Sequence, residues 1–292
     1  AEVARERAEG QSVKADRSLT ARLVLELLGR PIRRRLGLDR LLSVYSAAAA
    51  LPEEVQYFFE GLGLPIRQAW GLTETFGAGA AQSVDELRAG LVGAAHEGVE
   101  IRLAPDGEIL VRGDCVFPGY WRRPEQTRMA LDAEGFLHTG DLGELLSDGR
   151  LRIVDRKSSC LALSTGRKVW PQRMELALRA SPLVADAVAL GNGQARPALL
   201  VALDPEEVRG RIPNGGDAPE LDPSISAEIQ RRVDRFNASV AKADRIGAWR
   251  IVRGAFPDSV YTSTRKIRRD VFVETFADEI ARLYEDNARI SA

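Results

Sequence analysis

The chain has 292 residues, 45% apolar and 28% charged, with a formal net charge of -1. That length suits two domains with a core in each, and the composition excludes a disordered or fibrous chain and a global field for capturing nucleic acid or an anionic membrane. Two cysteines, Cys115 and Cys160, and two histidines, His96 and His138, are too few for a disulfide framework or a zinc cluster, which fits a reducing, cytoplasmic setting. The charged start Ala1-Glu2-Val3-Ala4-Arg5-Glu6-Arg7 is no signal peptide, and no apolar run approaches the roughly 20 residues a bilayer span needs, so lipid contact is expected to be peripheral at most.

Leu19, Leu23, Val24, Leu27 and Leu28 recur at helical spacing over the first forty residues, and the basic run Arg30 to Arg40 reads as a solvated helix face. Ser43 to Ser46 predicts a short strand. Leu51-Pro52-Glu53-Glu54 opens a helix to about Gly61, and Leu64 to Trp70 predicts the next strand, placing Gly71 to Glu74 at its carboxyl end. In open α/β sheets, ligands sit at that end. Alternating runs at 99–103 and 108–112 around Pro105-Asp106-Gly107 predict a hairpin, followed by the strand Leu151 to Val154 after Ser147-Asp148-Gly149. A domain boundary is expected just after Val154. Beyond it, a helix at 171–180, strands near 184–190, 197–203 and 249–252, a helix near 225–242 and a final helix from 270 predict a small α+β unit. Arg209 to Ser224 reads as an exposed loop.

Taken one at a time, the polar candidates have bland alternatives. Glu74, with the hydroxyls of Thr73 and Thr75, offers the oxygen ligands a hydrated magnesium ion prefers, yet a loop carboxylate is commonly just solvated. Asp141 in Thr139-Gly140-Asp141 can accept two hydrogen bonds from vicinal ribose hydroxyls, or can cap a turn. Arg156 can donate to a sugar or phosphate, or form a surface ion pair. Lys266, between Arg265 and Arg268-Arg269, can be a solvated basic loop.

Their joint order is more specific. Trp70-Gly-Leu-Thr-Glu74, Gly107-Glu-Ile-Leu-Val-Arg-Gly113, Gly119-Tyr-Trp-Arg-Arg-Pro-Glu125, His138-Thr-Gly-Asp-Leu142, Asp155-Arg-Lys157 and Lys266-Ile-Arg-Arg269 together resemble the adenylate-forming (acyl-CoA synthetase, AMP-binding) superfamily, and within it the long-chain fatty acyl-CoA synthetases. The resemblance runs from about Ser18 to the end. It implies an α/β fold followed by an α+β fold: residues 1–155 as the carboxyl-terminal part of a large adenylating domain, 156–292 as a small mobile domain. It also implies an ATP-dependent, magnesium-dependent ligase of cytoplasmic lipid metabolism that converts a fatty acid to acyl-AMP and then to a coenzyme A thioester. Trp70 and Gly71 would lie beside adenine with Ala47 and Ala48 of the adenine loop; Thr73 and Glu74 would meet phosphate and magnesium; Asp141 and Arg156 would hold the ribose. Lys266 would bridge carboxylate and α-phosphate, and Gly166 would sit in the loop Ser164 to Lys168 that approaches the thiol tunnel. The hinge is expected at Arg156 to Ser159. A homodimer is compatible with the resemblance, and nucleic acid is not an expected partner.

The sequence departs from the family pattern at four places. Ser46-Ala47-Ala48-Ala49-Ala50 stands where the family has a glycine-alanine loop, Ser158-Ser159 replaces a charged pair at the hinge, Thr264-Arg265 replaces Ser-Gly, and no Ser/Thr/Gly-rich phosphate loop precedes the motifs. The resemblance therefore implies a partner for this chain, the amino-terminal half of the large domain, and predicts that the 292 residues alone do not form acyl-adenylate. Two other readings stay open: a noncatalytic binding or regulatory module with the same fold, and a ligase that loads a carrier protein.

Overall fold

A computed structural model describes residues 27, 29–83, 87–211, 222–263 and 265–290, with side chains up to residue 285. Leu19, Leu23, Val24 and Leu28 of the predicted amino-terminal helix, and Thr264, lie outside the described residues. The chain divides into two compact units, Ala1–Ser158 and Ser159–Ala292.

In the first unit a short basic helix, α1 (Arg30–Arg35), precedes strand β1 (Val44–Ser46), helix α2 (Glu53–Gly61) and strand β2 (Ile66–Trp70). Glu53 and Glu54 occupy the first turn of α2, where carboxylates complement the positive helix end. Strands β3 (Ala80–Ala81), β4 (Gly93–Ala95), β5 (Val99–Leu103) and β6 (Glu108–Gly113) follow, then helix α3 (Pro124–Ala130) and strands β7 (Leu137–Leu145) and β8 (Arg150–Arg156). The eight strands form one sheet in the order β1-β2-β3-β4-β8-β7-β6-β5. β1 and β2 are parallel, with Ser46 opposite Gln68, and every other neighbour is antiparallel. Trp70, Ala80, Val92, Ile109, Val111 and Leu151 form the buried cluster of this sheet. β8 continues past Val154 to Arg156.

A trio of buried glutamines ties α2 to β2. Gln68 Nε2 donates to Gln56 Oε1 at 3.0 Å, Gln68 N to Gln82 Oε1 at 2.9 Å, and Gln56 Nε2 to the Ile66 carbonyl at 3.0 Å. Buried amides are tolerable because they satisfy one another.

The second unit begins with a small antiparallel pair, β9 (Leu161–Ala162) and β10 (Lys168–Val169), and helix α4 (Gln172–Arg179). A three-stranded sheet follows, β11 (Val184–Leu190), β12 (Ala198–Leu203) and β13 (Ala248–Ile251), with β12 central. All six residues of β12 are buried, since helices cover both faces of the strand. Leu199 and Val201 pack with Met174 and Leu178 of α4 and with Ile229, Val233 and Phe236. Ala198, Leu200 and Ala202 pack on the other face with Phe256, Phe272 and Leu283.

Three boundaries differ from the sequence expectation. The segment 209–224 is not all loop: α5 (Pro205–Arg211) runs through Arg211 and α6 (Pro223–Ala238) starts at Pro223. Asp204 and Asp222 cap the two helices, accepting from Glu206 N at 2.9 Å and Ser224 N at 2.7 Å, and a proline follows each cap. Helix α6 ends at Ala238, not 242. The final helix is broken at Phe276 into α7 (Arg269–Thr275) and α8 (Ala277–Ile290), and the Phe276 ring lies 4.7 Å from Phe272 and 5.3 Å from Phe256.

Candidate functional site

Several candidate residues of the first unit lie where strands end, while Asp141 lies within β7. Ala47 and Ala48 follow β1, and Gly71 follows β2, so the parallel pair brings both segments to the same carboxyl edge. Both alanines are exposed. The left-handed residue there is Ala48, with φ 69°, so the glycine-like conformation falls one residue beyond Ala47. Gly71 is demanded by space: a Cβ there would lie 2.2 Å from the Gly77 carbonyl oxygen.

That close approach folds residues 71–77 into a compact turn. Thr75 is buried, and its hydroxyl pairs with Leu72 N and Leu72 O at 3.1 Å each, which removes it from the oxygen ligands available to a cation. Thr73 is exposed and Glu74 half-buried. The Glu74 carboxylate accepts a 2.7 Å hydrogen bond from the Tyr120 hydroxyl, which raises the Tyr120 pKa. Tyr120 is itself held, its N–H donating to Thr127 Oγ1 at 2.9 Å and its ring edge-on to Phe117 at 4.7 Å. One carboxylate and one hydroxyl are an oxygen-only set; among the described residues no three His, Cys, Asp or Glu side chains converge to hold a metal. Such a set fits a magnesium ion that keeps most of its waters and takes its other ligands from phosphate oxygens.

Asp141 is 5% exposed, on β7 directly opposite Arg156 of β8. Its Oδ2 accepts a 2.8 Å hydrogen bond from Trp70 Nε1. Its Oδ1 lies 3.0 Å from Arg156 Nε as an ion pair, outside hydrogen-bond geometry, and this buried oxygen accepts no hydrogen bond. A carboxylate with one oxygen pinned and the other short of a donor fits a hydroxyl-bearing ligand, and the Arg156 side chain, 52% exposed, can donate beside it. Trp70, 8% exposed, packs its ring against Gly79, where a Cβ would come within 2.8 Å of Cε3. The indole thus touches the Asp141 carboxylate directly.

The local shape of this site comes from interrupted ladders. Register shifts fall between Glu108 and Leu110 in the β6–β7 pairing and between Leu142 and Gly143 in the β7–β8 pairing. Bulges re-aim side chains, and here they flank Asp141. Thr139 Oγ1 donates to the Ile109 carbonyl at 2.7 Å and accepts from Asp141 N at 3.1 Å. Glu108, 6% exposed, accepts Gly140 N–H at 2.9 Å and Lys157 Nζ at 3.0 Å, with His138 Nδ1 at 3.2 Å. Burial alone would raise the Glu108 pKa, but Lys157, His138 and the Gly140 amide outweigh it and hold it below the ordinary value. Glu108, Tyr120 and Lys157 lie inside motifs, yet nothing in sequence order assigns them partners; the one signal is a carboxylate heading an apolar run, Glu108-Ile109-Leu110-Val111.

In the second unit, Lys266 is exposed in a tight turn: Thr262 N donates to the Lys266 carbonyl at 2.8 Å, and Lys266 N to Thr262 Oγ1 at 3.0 Å. Arg265 takes φ 59°, supplying the left-handed residue without a glycine. Its guanidinium pairs with Asp258 at 2.7 Å and lies 4.6 Å over the Tyr261 ring, whereas Lys266 Nζ has no partner among the described residues. Gly166, at φ 80°, forms the tip of the β9–β10 turn, and Arg167 beside it makes two 2.8 Å bonds to Asp244.

Comparison with known proteins supports this assembly of motifs. Residues 8–121 match the model of the AMP-binding enzyme family, and residues 158–288 match that of the AMP-binding enzyme C-terminal domain. Over 267 residues the chain is 36% identical to the long-chain-fatty-acid–CoA ligase FadD15 of Mycobacterium bovis, covering 88% of this chain and 44% of that protein. It is 28% identical to the peroxisomal long chain acyl-CoA synthetase 7 of Arabidopsis thaliana, covering 90% and 41%. The chain thus spans less than half the length of these relatives. Among solved structures, the anthranilate CoA ligase AuaEII, in complex with anthranoyl-AMP, superposes with a TM-score of 0.66 at 25% identity over 82% of this chain and 45% of that one. The adenylation domain of a Mycobacterium chelonae carboxylate reductase shares the fold, with a TM-score of 0.69 over 93% and 43%. By its two family matches and the motifs they contain, this chain belongs to the AMP-binding, adenylate-forming enzymes.

Proposed function

We propose that the chain is the nucleotide-holding and lysine-bearing part of an ATP-dependent fatty acid–CoA ligase, with long-chain acids as its substrate class. In the first half-reaction a fatty carboxylate oxygen attacks the α-phosphorus of ATP, giving acyl-AMP and pyrophosphate. In the second, the coenzyme A thiol attacks the acyl carbonyl, releasing AMP and a proton. Residues 1–155 act as the carboxyl-terminal part of the large adenylating domain and 156–292 as the small mobile domain.

The observation that carries this reading is the Trp70–Asp141–Arg156 cluster, a buried carboxylate with one oxygen left for a hydroxyl. In it Asp141 and Arg156 hold the ribose, and Trp70 with Gly71, Ala47 and Ala48 borders adenine. Thr73 and Glu74 meet the phosphates and a magnesium ion, which when bound neutralises phosphate charge. Lys266, the cation of its turn with no ion-pair partner among the described residues, neutralises charge between carboxylate and α-phosphate, a matter of positioning more than of bond-making. Gly166 lies at the loop facing the thiol.

The test uses the ligase polypeptide that contains this chain, supplied with ATP, magnesium and fatty acids of increasing chain length. Fatty-acid-dependent exchange of pyrophosphate into ATP, followed by thioester formation with coenzyme A, is expected. Absence of exchange with every acid would overturn the ligase reading, and transfer only to a phosphopantetheinyl carrier would change the acceptor. Lys266→Ala is expected to abolish exchange while thioester formation from preformed acyl-adenylate persists; equal loss in both removes Lys266 from its role.

A further inference from the structure

Glu108 stands outside the nucleotide-contacting set, yet two other motifs converge on its carboxylate. Oε1 accepts from Gly140 N, the residue before Asp141, at 2.9 Å. Oε2 takes Lys157 Nζ at 3.0 Å and faces His138 Nδ1 at 3.2 Å. Lys157 is the penultimate residue of the first unit, and its ammonium is held from a second side by Asp106 at 2.6 Å. Asp106 is in turn fixed by Glu108 N, which donates to its Oδ1 at 3.2 Å. The Glu108 side chain is only 7% exposed, so its charge is far less screened than that of a surface pair. The two segments it grips serve different ends, since one presents Asp141 and the other is the last stretch of chain before the second unit.

We infer that Glu108 is a positioning residue that braces the Gly140–Asp141 segment and, through Lys157, clamps the end of the first unit, so that the freely turning part of the link begins at Ser158. Its role in ligation rests on the ligase reading above; the clamp does not. Because one carboxylate serves both segments, they loosen together when it is removed and separately when only one contact is cut. Glu108→Ala cuts both, Lys157→Met cuts only the link, and Glu108→Gln keeps an acceptor for Gly140 while losing the anionic partner of Lys157.

Hydrogen exchange on the 292-residue chain reads the clamp. Glu108→Ala is expected to speed exchange about tenfold in both 138–142 and 156–160, the effect of losing one charge-assisted hydrogen bond in each. Lys157→Met and Glu108→Gln are expected to speed 156–160 and leave 138–142 close to wild type. Unchanged exchange in either segment of Glu108→Ala, or faster exchange throughout the first unit, overturns the inference. If Glu108→Ala fails to fold, Lys157→Met decides it: no loosening at 156–160 is the negative result. In the ligase polypeptide, Glu108→Ala is expected to raise KM for ATP about tenfold with a smaller fall in kcat, and Glu108→Gln to restore most of that KM. Equal falls for both variants remove the positioning role. Loss of the KM effect with the exchange pattern intact would count against the ligase reading and not against the clamp.

Discussion

Trp70→Phe tests whether the buried carboxylate of Asp141 depends on its indole partner. The substitution removes the 2.8 Å Nε1–H···Oδ2 hydrogen bond and keeps an aromatic ring against Gly79. A hydrogen bond to a buried charged group contributes about 1.5–3 kcal/mol, and shrinking an indole to a phenyl in a packed cluster costs about 1 kcal/mol more. No other donor compensates, because Oδ1 accepts no hydrogen bond and Arg156 meets it only as a half-exposed ion pair. The expected loss is therefore about 3 kcal/mol, confined to the unfolding of the first unit. Urea denaturation followed by circular dichroism measures it, with Trp249→Phe as a control: Trp249 Nε1 donates to Gln230 at the surface of the second unit at 2.8 Å, and its loss should cost under about 1 kcal/mol. In an Asp141→Asn background the Trp70→Phe effect should shrink by about 1–2 kcal/mol, since the charge that strengthens the bond is gone. A Trp70→Phe loss below about 1 kcal/mol, or no coupling to Asp141, would refute the reasoning.

Two further outcomes follow from particular groups. Glu108 has a lowered pKa in the folded chain, so it contributes stability that is present above its unfolded value near 4.5 and is lost as pH falls through the lowered folded value. The urea midpoint of the first unit should fall more steeply on acidification below about pH 5 in the wild type than in Glu108→Gln, and parallel slopes would contradict this. Ala48→Gly should stabilise the first unit by about 0.5–1 kcal/mol in thermal unfolding, because φ 69° is costly for alanine and free for glycine; a lower melting temperature would show that the turn relaxes instead.

The elements were legible where periodicity is strong. The alternating runs at 99–103 and 108–112 fall in the β5–β6 hairpin, whose second strand extends one residue further to Gly113, and the wholly apolar stretch at 198–203 forms the central β12. Tertiary partnerships were not. The Gln56–Gln68–Gln82 trio joins residues 12 and 14 positions from Gln68, and no spacing rule marks a glutamine for burial. Trp70 and Asp141 are 71 positions apart and meet only because the sheet order sets β2 and β7 across the same cluster, so sequence could name each and not their bond. Glu108 and Tyr120 were hidden for the same reason: a carboxylate or phenol declares its partner only after the bulges and turns around it are folded. The left-handed backbone at Ala48 was invisible because alanine is not a type that advertises it, while that at Arg265 is legible only against the Ser-Gly the family carries there.

The separate cores have a consequence for how the chain can change. Ile109, Val111 and Leu151 belong to the buried cluster of the first unit, while Leu199, Leu200, Ile229 and Phe272 belong to those of the second, and among the described residues no cluster mixes the two. Mutations that reshape one interior need no compensating change in the other. The second unit, which carries Lys266, can therefore drift or be recombined without repacking the first unit's cluster.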